Sequence, residues 1–142
     1  MFNEIPLQLK CSKSKKHEET RFMKLKNETV FNAKESILKL KGSNLPIRIM
    51  VKVNKTASAV LDQYSFIENC RQDLVRKYGE QKDDGFYVNK EDEEKIGKFY
   101  EEFKELLDCE EEIDVRKVPI EDLPETVELN GYDLDALSFM FE

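Results

Sequence analysis

The chain has no tryptophan, a single histidine and three cysteines in 142 residues, and each scarcity closes off a class of function. Cys11, Cys70 and Cys109 are odd in number, far apart and never in a C-x-x-C pair, which indicates neither a disulfide framework nor a zinc site. His17 stands alone in a lysine-rich stretch, so acid–base chemistry centred on histidine has no plausible centre. No apolar run approaches the ~18 residues that span a bilayer. The lysines of "MFNEIPLQLKCSKSKKHEE" follow its short apolar part, the reverse of a secretory signal. A soluble cytoplasmic protein that does not engage a membrane is expected. Absent too are G-x-x-x-x-G-K-[ST], G-x-G-x-x-G and G-x-S-x-G, so no phosphate loop, dinucleotide fingerprint or nucleophile elbow is encoded.

Charge is what the chain has in abundance, at 37% of residues with a net of −7. Its distribution is uneven. Residues 1 to 55 carry 13 Lys and Arg against 5 Asp and Glu, and residues 56 to 142 carry 10 against 25. Such a split suits a basic face and an acidic face that meet, within one molecule or between copies. The basic half holds few aromatics and no stacking motif, which argues against nucleic acid as the main partner.

Along the chain, residues 1–22 hold Lys-Ser repeats and scattered apolar residues, and are expected to be a poorly ordered extension upstream of a single α+β domain at 23–142. Glu18-Glu19 can be encoded by a purine run resembling a ribosome-binding site, which leaves Met23 as an alternative to Met1 for the native start. "FMKLKN" alternates as a short strand with one apolar face. Asn27 is expected to cap a first helix whose stripe is Val30, Ala33, Ile37 and Leu40, ending at Gly42. From Pro46 to Tyr78 a heptad-like stripe through Met50, Val53, Ala57, Val60, Tyr64, Ile67, Arg71, Leu74 and Tyr78 predicts one helix of roughly 50 Å. Ile47, Val51, Leu61 and Phe66 widen that stripe, which predicts further neighbours for its first half. Asp84-Gly85 is read as a turn, Phe86-Tyr87-Val88 as a short strand or anchor, and Asn89 as the cap of a helix with the stripe Ile96, Phe99, Tyr100, Phe103, Leu106 and Leu107.

The two helices are expected to form a long antiparallel hairpin, with the shorter helix before it. A late strand, Ile113 to Val118, should pair with the N-terminal strand in a small two-stranded sheet. Asp133 is expected to cap a last short helix carrying Leu134, Leu137, Phe139, Met140 and Phe141. This amphipathic segment is the candidate partner contact, either docking on its own domain or entering a groove of another protein. The cost of exposing its apolar side chains favours the first. Tyr64, Phe66, Phe99, Tyr100 and Phe103 are read as core.

No catalytic, cofactor or metal residues can be assigned. Cys70 lies beside Arg71 on the long helix, and Cys109 precedes Glu110, Glu111 and Glu112, which oppose thiolate formation; both read as structural. The acidic clusters at 91–94 and 110–112 lack the histidines or spaced aspartates of a cation site.

The order of the pieces "MKLKNETV", "LPIRIMVKVNKTASAVLDQY", "RQDLVRKYGE", "DDGFYV", "FYEEFKELLDCEEEIDVRKVPIEDL" and "LDALSFMFE" resembles a small uncharacterised protein family of phages and prophages of Gram-positive bacteria, over residues 23–142. The resemblance implies a non-enzymatic phage or prophage accessory protein without cofactors. It would act through protein–protein contacts, with virion or tail-module components or by self-association, in the cytoplasm of a bacterial host. An acidic inhibitor that mimics nucleic acid toward a basic host protein is the alternative, and a nucleic-acid-associated protein the third reading.

Overall fold

The computed structural model describes residues 22–142; Cys11, His17 and the expected N-terminal extension lie outside them. Strand β1, Phe22–Lys26, runs directly into helix α1, Asn27–Lys41. Phe22 is already part of the strand, one residue ahead of the expected domain start. α1 buries Val30, Ala33, Ile37 and Leu40 as its spacing requires, and Asn27 and Ser36 are buried with them.

A short connection, in which Pro46 cannot continue α1, leads into α2, Ile47–Tyr78. At 1.5 Å per residue this helix is about 48 Å long, too long for one neighbour to cover. Its first half buries Ile49, Val53, Ala57 and Val60 in the core cluster that holds the apolar face of α1. Its second half is covered by α3, Glu93–Asp108, which runs back along it. Lys77 Nζ reaches Glu102 Oε1 at 2.9 Å near the far end of this hairpin. α1 and α3 thus follow one another along α2, and an aromatic chain joins the three. Phe31 stacks on Tyr64 at 5.4 Å and meets the edge of Phe103 at 5.8 Å, which in turn stacks on Phe99.

Between α2 and α3 the chain forms a small hairpin, β2, Glu80–Lys82, with β3, Gly85–Tyr87, a second two-stranded sheet. Its turn residues are Asp83 and Asp84, one position earlier than the sequence suggests. Gly85 opens β3 at φ 140°, a conformation that disfavours any residue with a Cβ. Gly79 has an ordinary φ but a steric role: a Cβ there would collide with the Val75 carbonyl oxygen and lie 2.9 Å from that of Tyr87. Asp92, not Asn89, caps α3, its carboxylate accepting from the Lys95 N–H at 3.1 Å. Asn89 caps the preceding turn instead, accepting from the Glu91 N–H. Both are good caps; α3 begins after the later one because Glu93 and Glu94 then occupy its first turn.

Strand β4, Glu110–Asp114, pairs antiparallel with β1. It begins three residues before the expected Ile113, because β1 offers five residues and α3 ends immediately upstream. Beyond Asp114 the backbone turns to other partners: the Arg116 N–H donates to Thr56 Oγ1 at 2.8 Å, and Val118 exchanges hydrogen bonds with the Met140 carbonyl and the Glu142 N–H. Helix α4, Gly131–Ala136, is shorter than the expected last helix. It stops at Leu137, and a 3₁₀ turn over Ser138–Met140 follows. The cap is Asn130, with Asp133 at the third helical position completing a capping box.

Candidate interaction surface

Three buried polar residues lock the elements in place. Asn27 is 1% exposed. It does not cap α1, since the preceding Lys26 holds that position without a side-chain bond. Its side chain lies where α1 begins, α3 ends and α2 passes: Nδ2 donates to the Leu106 carbonyl at 2.9 Å, and Oδ1 accepts from Gln63 Nε2 at 2.9 Å. The Asn27 backbone N–H also donates to the Cys109 carbonyl at 2.8 Å, so two groups at the C-terminal end of α3 are satisfied by this one residue. Thr56 ties α2 to the segment after β4.

Asp133 does the same for the C-terminus. Its Oδ2 receives Lys39 Nζ at 2.6 Å and the Asn130 N–H at 3.0 Å, and its Oδ1 receives Ser36 Oγ at 2.7 Å. The Lys39 ammonium, then the Ser36 hydroxyl and the Asn130 N–H, hold its carboxyl down from the ordinary 3.8 to about 2. The burial of Asn27 and Ser36 is legible in principle. Each falls three residues from a member of the α1 apolar stripe, Val30 and Ala33 respectively, on the face that must be buried.

With the C-terminus fastened in this way, the candidate contact residues divide. Leu137 and Met140 are completely buried in the core, and Phe139 and Phe141 pack against it half-buried. Leu134 alone is exposed, at 36%. The segment therefore spends its apolar side chains on its own domain, because the Asp133 cluster and the Val118 backbone bonds pull it inward, and it is not an open docking face.

The accessible apolar surface lies elsewhere. Ile47 is 73% exposed, Val51 45% and Phe66 53%. The widened stripe predicts neighbours for all three, but α1 and α3 cover only the opposite side of α2. At 100° per residue, Ile47, Val51, Lys55, Ser58, Asp62 and Phe66 fall within an arc of about 100°, facing away from Ile49, Val53, Val60 and Ile67. Arg48, Lys52 and Lys55 accompany this arc with no ion pair among the described residues, whereas farther along α2 Arg71 is held by Glu68. That contact lowers the Glu68 carboxyl and raises the Arg71 guanidinium. Tyr100, also expected in the core, is 58% exposed beside Phe99.

Two grooves also mark the surface. One, of about 670 Å³, lies between the end of α1 and the 126–130 loop, and includes Lys39, Asn44, Thr126 and Glu128. The other, of about 390 Å³, separates α2 from α3 and is lined by Cys70, Leu74, Glu105 and Cys109 among others. Cys70 is half-buried and Cys109, which follows α3, is exposed; its thiol donates to the Glu105 carbonyl at 3.3 Å. Among the described residues no three His, Cys, Asp or Glu side chains converge as a cation set. No helix among them is long and apolar enough to cross a membrane.

No family model, curated protein or solved structure matches the chain.

Proposed function

We propose that this is a non-catalytic protein that acts through protein–protein contacts, and that the outer face of α2 is its contact surface. The observation that carries this reading is the exposure of Ile47, Val51 and Phe66 on one arc of a helix whose opposite side buries Ile49, Val53, Ala57, Val60 and Ile67. Leaving three large apolar side chains partly in water gains the fold nothing, and burying what each still exposes offers a partner about 1–2 kcal/mol. Lys55 and Asp62, both exposed on this face, offer a partner one charge of each sign. An accessory protein of a phage or prophage, working in the host cytoplasm or on the virion, is the setting that the sequence resemblance implies.

The test is site-specific photo-cross-linking with the full chain in its native cell. A photoreactive residue at position 51 or 66 is expected to give a discrete protein adduct, and one at position 132, which is also exposed but on α4, is expected to give none. Absence of adducts from 51 and 66, or equal adducts from all three positions, contradicts the reading.

A further inference from the structure

The outer face of α2 carries a pattern that names its partner. Ser58 lies near the middle of the exposed arc and is the smallest of its six side chains, so a second helix can approach the backbone most closely there. Its hydroxyl does not oppose that approach, because a serine within a helix can return its hydrogen bond to the carbonyl four residues earlier, here that of Asn54. The surrounding residues are arranged about the point between Ser58 and Ala59. Lys55 and Asp62 are each about 5 Å from it along the axis, on opposite sides, and Val51 and Phe66 are each about 11 Å from it. Lys55, Asp62 and Phe66 also share one flank of the arc, and Val51 lies near its midline, within reach of that flank. Antiparallel helices bring like flank to like flank, so equidistant residues on that flank meet across a two-fold axis.

We infer that the outer face of α2 pairs antiparallel with the same face of a second copy of this chain. The two-fold axis passes near Ser58. Val51 packs on the partner's Phe66 and Lys55 faces the partner's Asp62, and each contact is made twice. Lys55 and Asp62 have no ion-pair partner among the described residues of their own chain, and both are exposed, so each is available to the other copy. A parallel pairing would set Lys55 against Lys55 of the partner subunit and Val51 against its own equivalent, leaving both charges unmatched. This assignment rests on the proposed role of α2 in protein contact and gives that contact its occupant.

Light scattering on the full chain after gel filtration, under reducing conditions that remove disulfide adducts of Cys109, reads the outcome. The wild-type chain of 16.7 kDa is expected at twice that mass as its concentration rises. Lys55→Asp and Asp62→Lys are each expected to weaken the dimer by about tenfold or more, because two like-charge contacts replace two attractive ones. An equimolar mixture of the two variants is expected to recover it, since every facing pair is again of opposite sign. That recovery also separates lost pairing from lost folding. A wild-type chain that stays monomeric overturns the inference, while adducts from position 66 to a different protein would still support the contact surface. A dimer indifferent to both reversals shows that another face is used, and a mixture that stays monomeric overturns the antiparallel register.

Discussion

Two buried polar side chains, Asn27 and Asp133, each join elements that the chain order leaves separate. Asn27 holds the ends of α1 and α3 against the middle of α2. Replacing Asn27 with Ala leaves the Gln63 amide and a lone pair of the Leu106 carbonyl without a partner, and is expected to cost about 1–3 kcal/mol. Urea unfolding followed by circular dichroism checks this, as a lower midpoint with an unchanged slope. Asp133 makes the fold acid-sensitive in a defined direction. Its carboxyl is held down from 3.8 to about 2, so its stabilisation is fully present above the ordinary value and is lost as pH falls through about 2. The Asp133→Asn variant is expected to lose that part of the acid dependence, read from unfolding midpoints measured between those two values. Neither role is readable from local preference. Asn and Asp are good caps, and nothing in the order of residues reveals that Gln63 or Lys39 arrives from elsewhere to claim them.

At the level of elements, what repeats can be read and what depends on a neighbour's reach cannot. The α1 stripe, the extent of α2 and the pairing of the first strand with a late one follow from periodicity and from Gly and Pro placement, and the structure has all three. Phe66 and Tyr100 depart from the expected core for one reason. A stripe widened by apolar residues reads as core, but the width actually buried is set by which helices reach it: α1 and α3 for α2, and α1 and α2 for α3. The start of β4 shifts because a strand takes its register from its partner, here the five residues of β1. Gly79 ends α2 as its placement predicts, and its position also lets the β2–β3 hairpin fold against the last helical turn. Gly79→Ala drives a Cβ against the Val75 carbonyl oxygen on the helix side and to 2.9 Å from the Tyr87 carbonyl oxygen on the hairpin side, which forces the two apart. A loss of about 1–3 kcal/mol is expected. Hydrogen exchange should show faster exchange confined to the hairpin and the last turn of α2; uniform protection through this region would contradict the steric explanation.

For the whole molecule, part of the division of charge in the sequence is matched within the fold. Lys24 and Lys26 of β1 stand opposite Glu112 and Glu110 of β4, and Lys39 from the basic half binds Asp133 from the acidic half. What the fold does not use is the outer face of α2, with its exposed Ile47, Val51 and Phe66 and its lysines, which make no ion pair among the described residues. On the reading proposed above, this face is occupied by the same face of a second chain, and cysteine trapping decides between that occupant and none. With Cys11, Cys70 and Cys109 replaced by serine, Ser58→Cys places one thiol per chain next to the proposed two-fold axis with almost no change in side-chain size. Lys98→Cys places one on the exposed face of α3 as a control. Mild oxidation is expected to convert the Ser58→Cys chain rapidly to a disulfide-linked dimer and to leave the Lys98→Cys chain monomeric. Equal rates at the two positions, or no trapping at position 58, would contradict it.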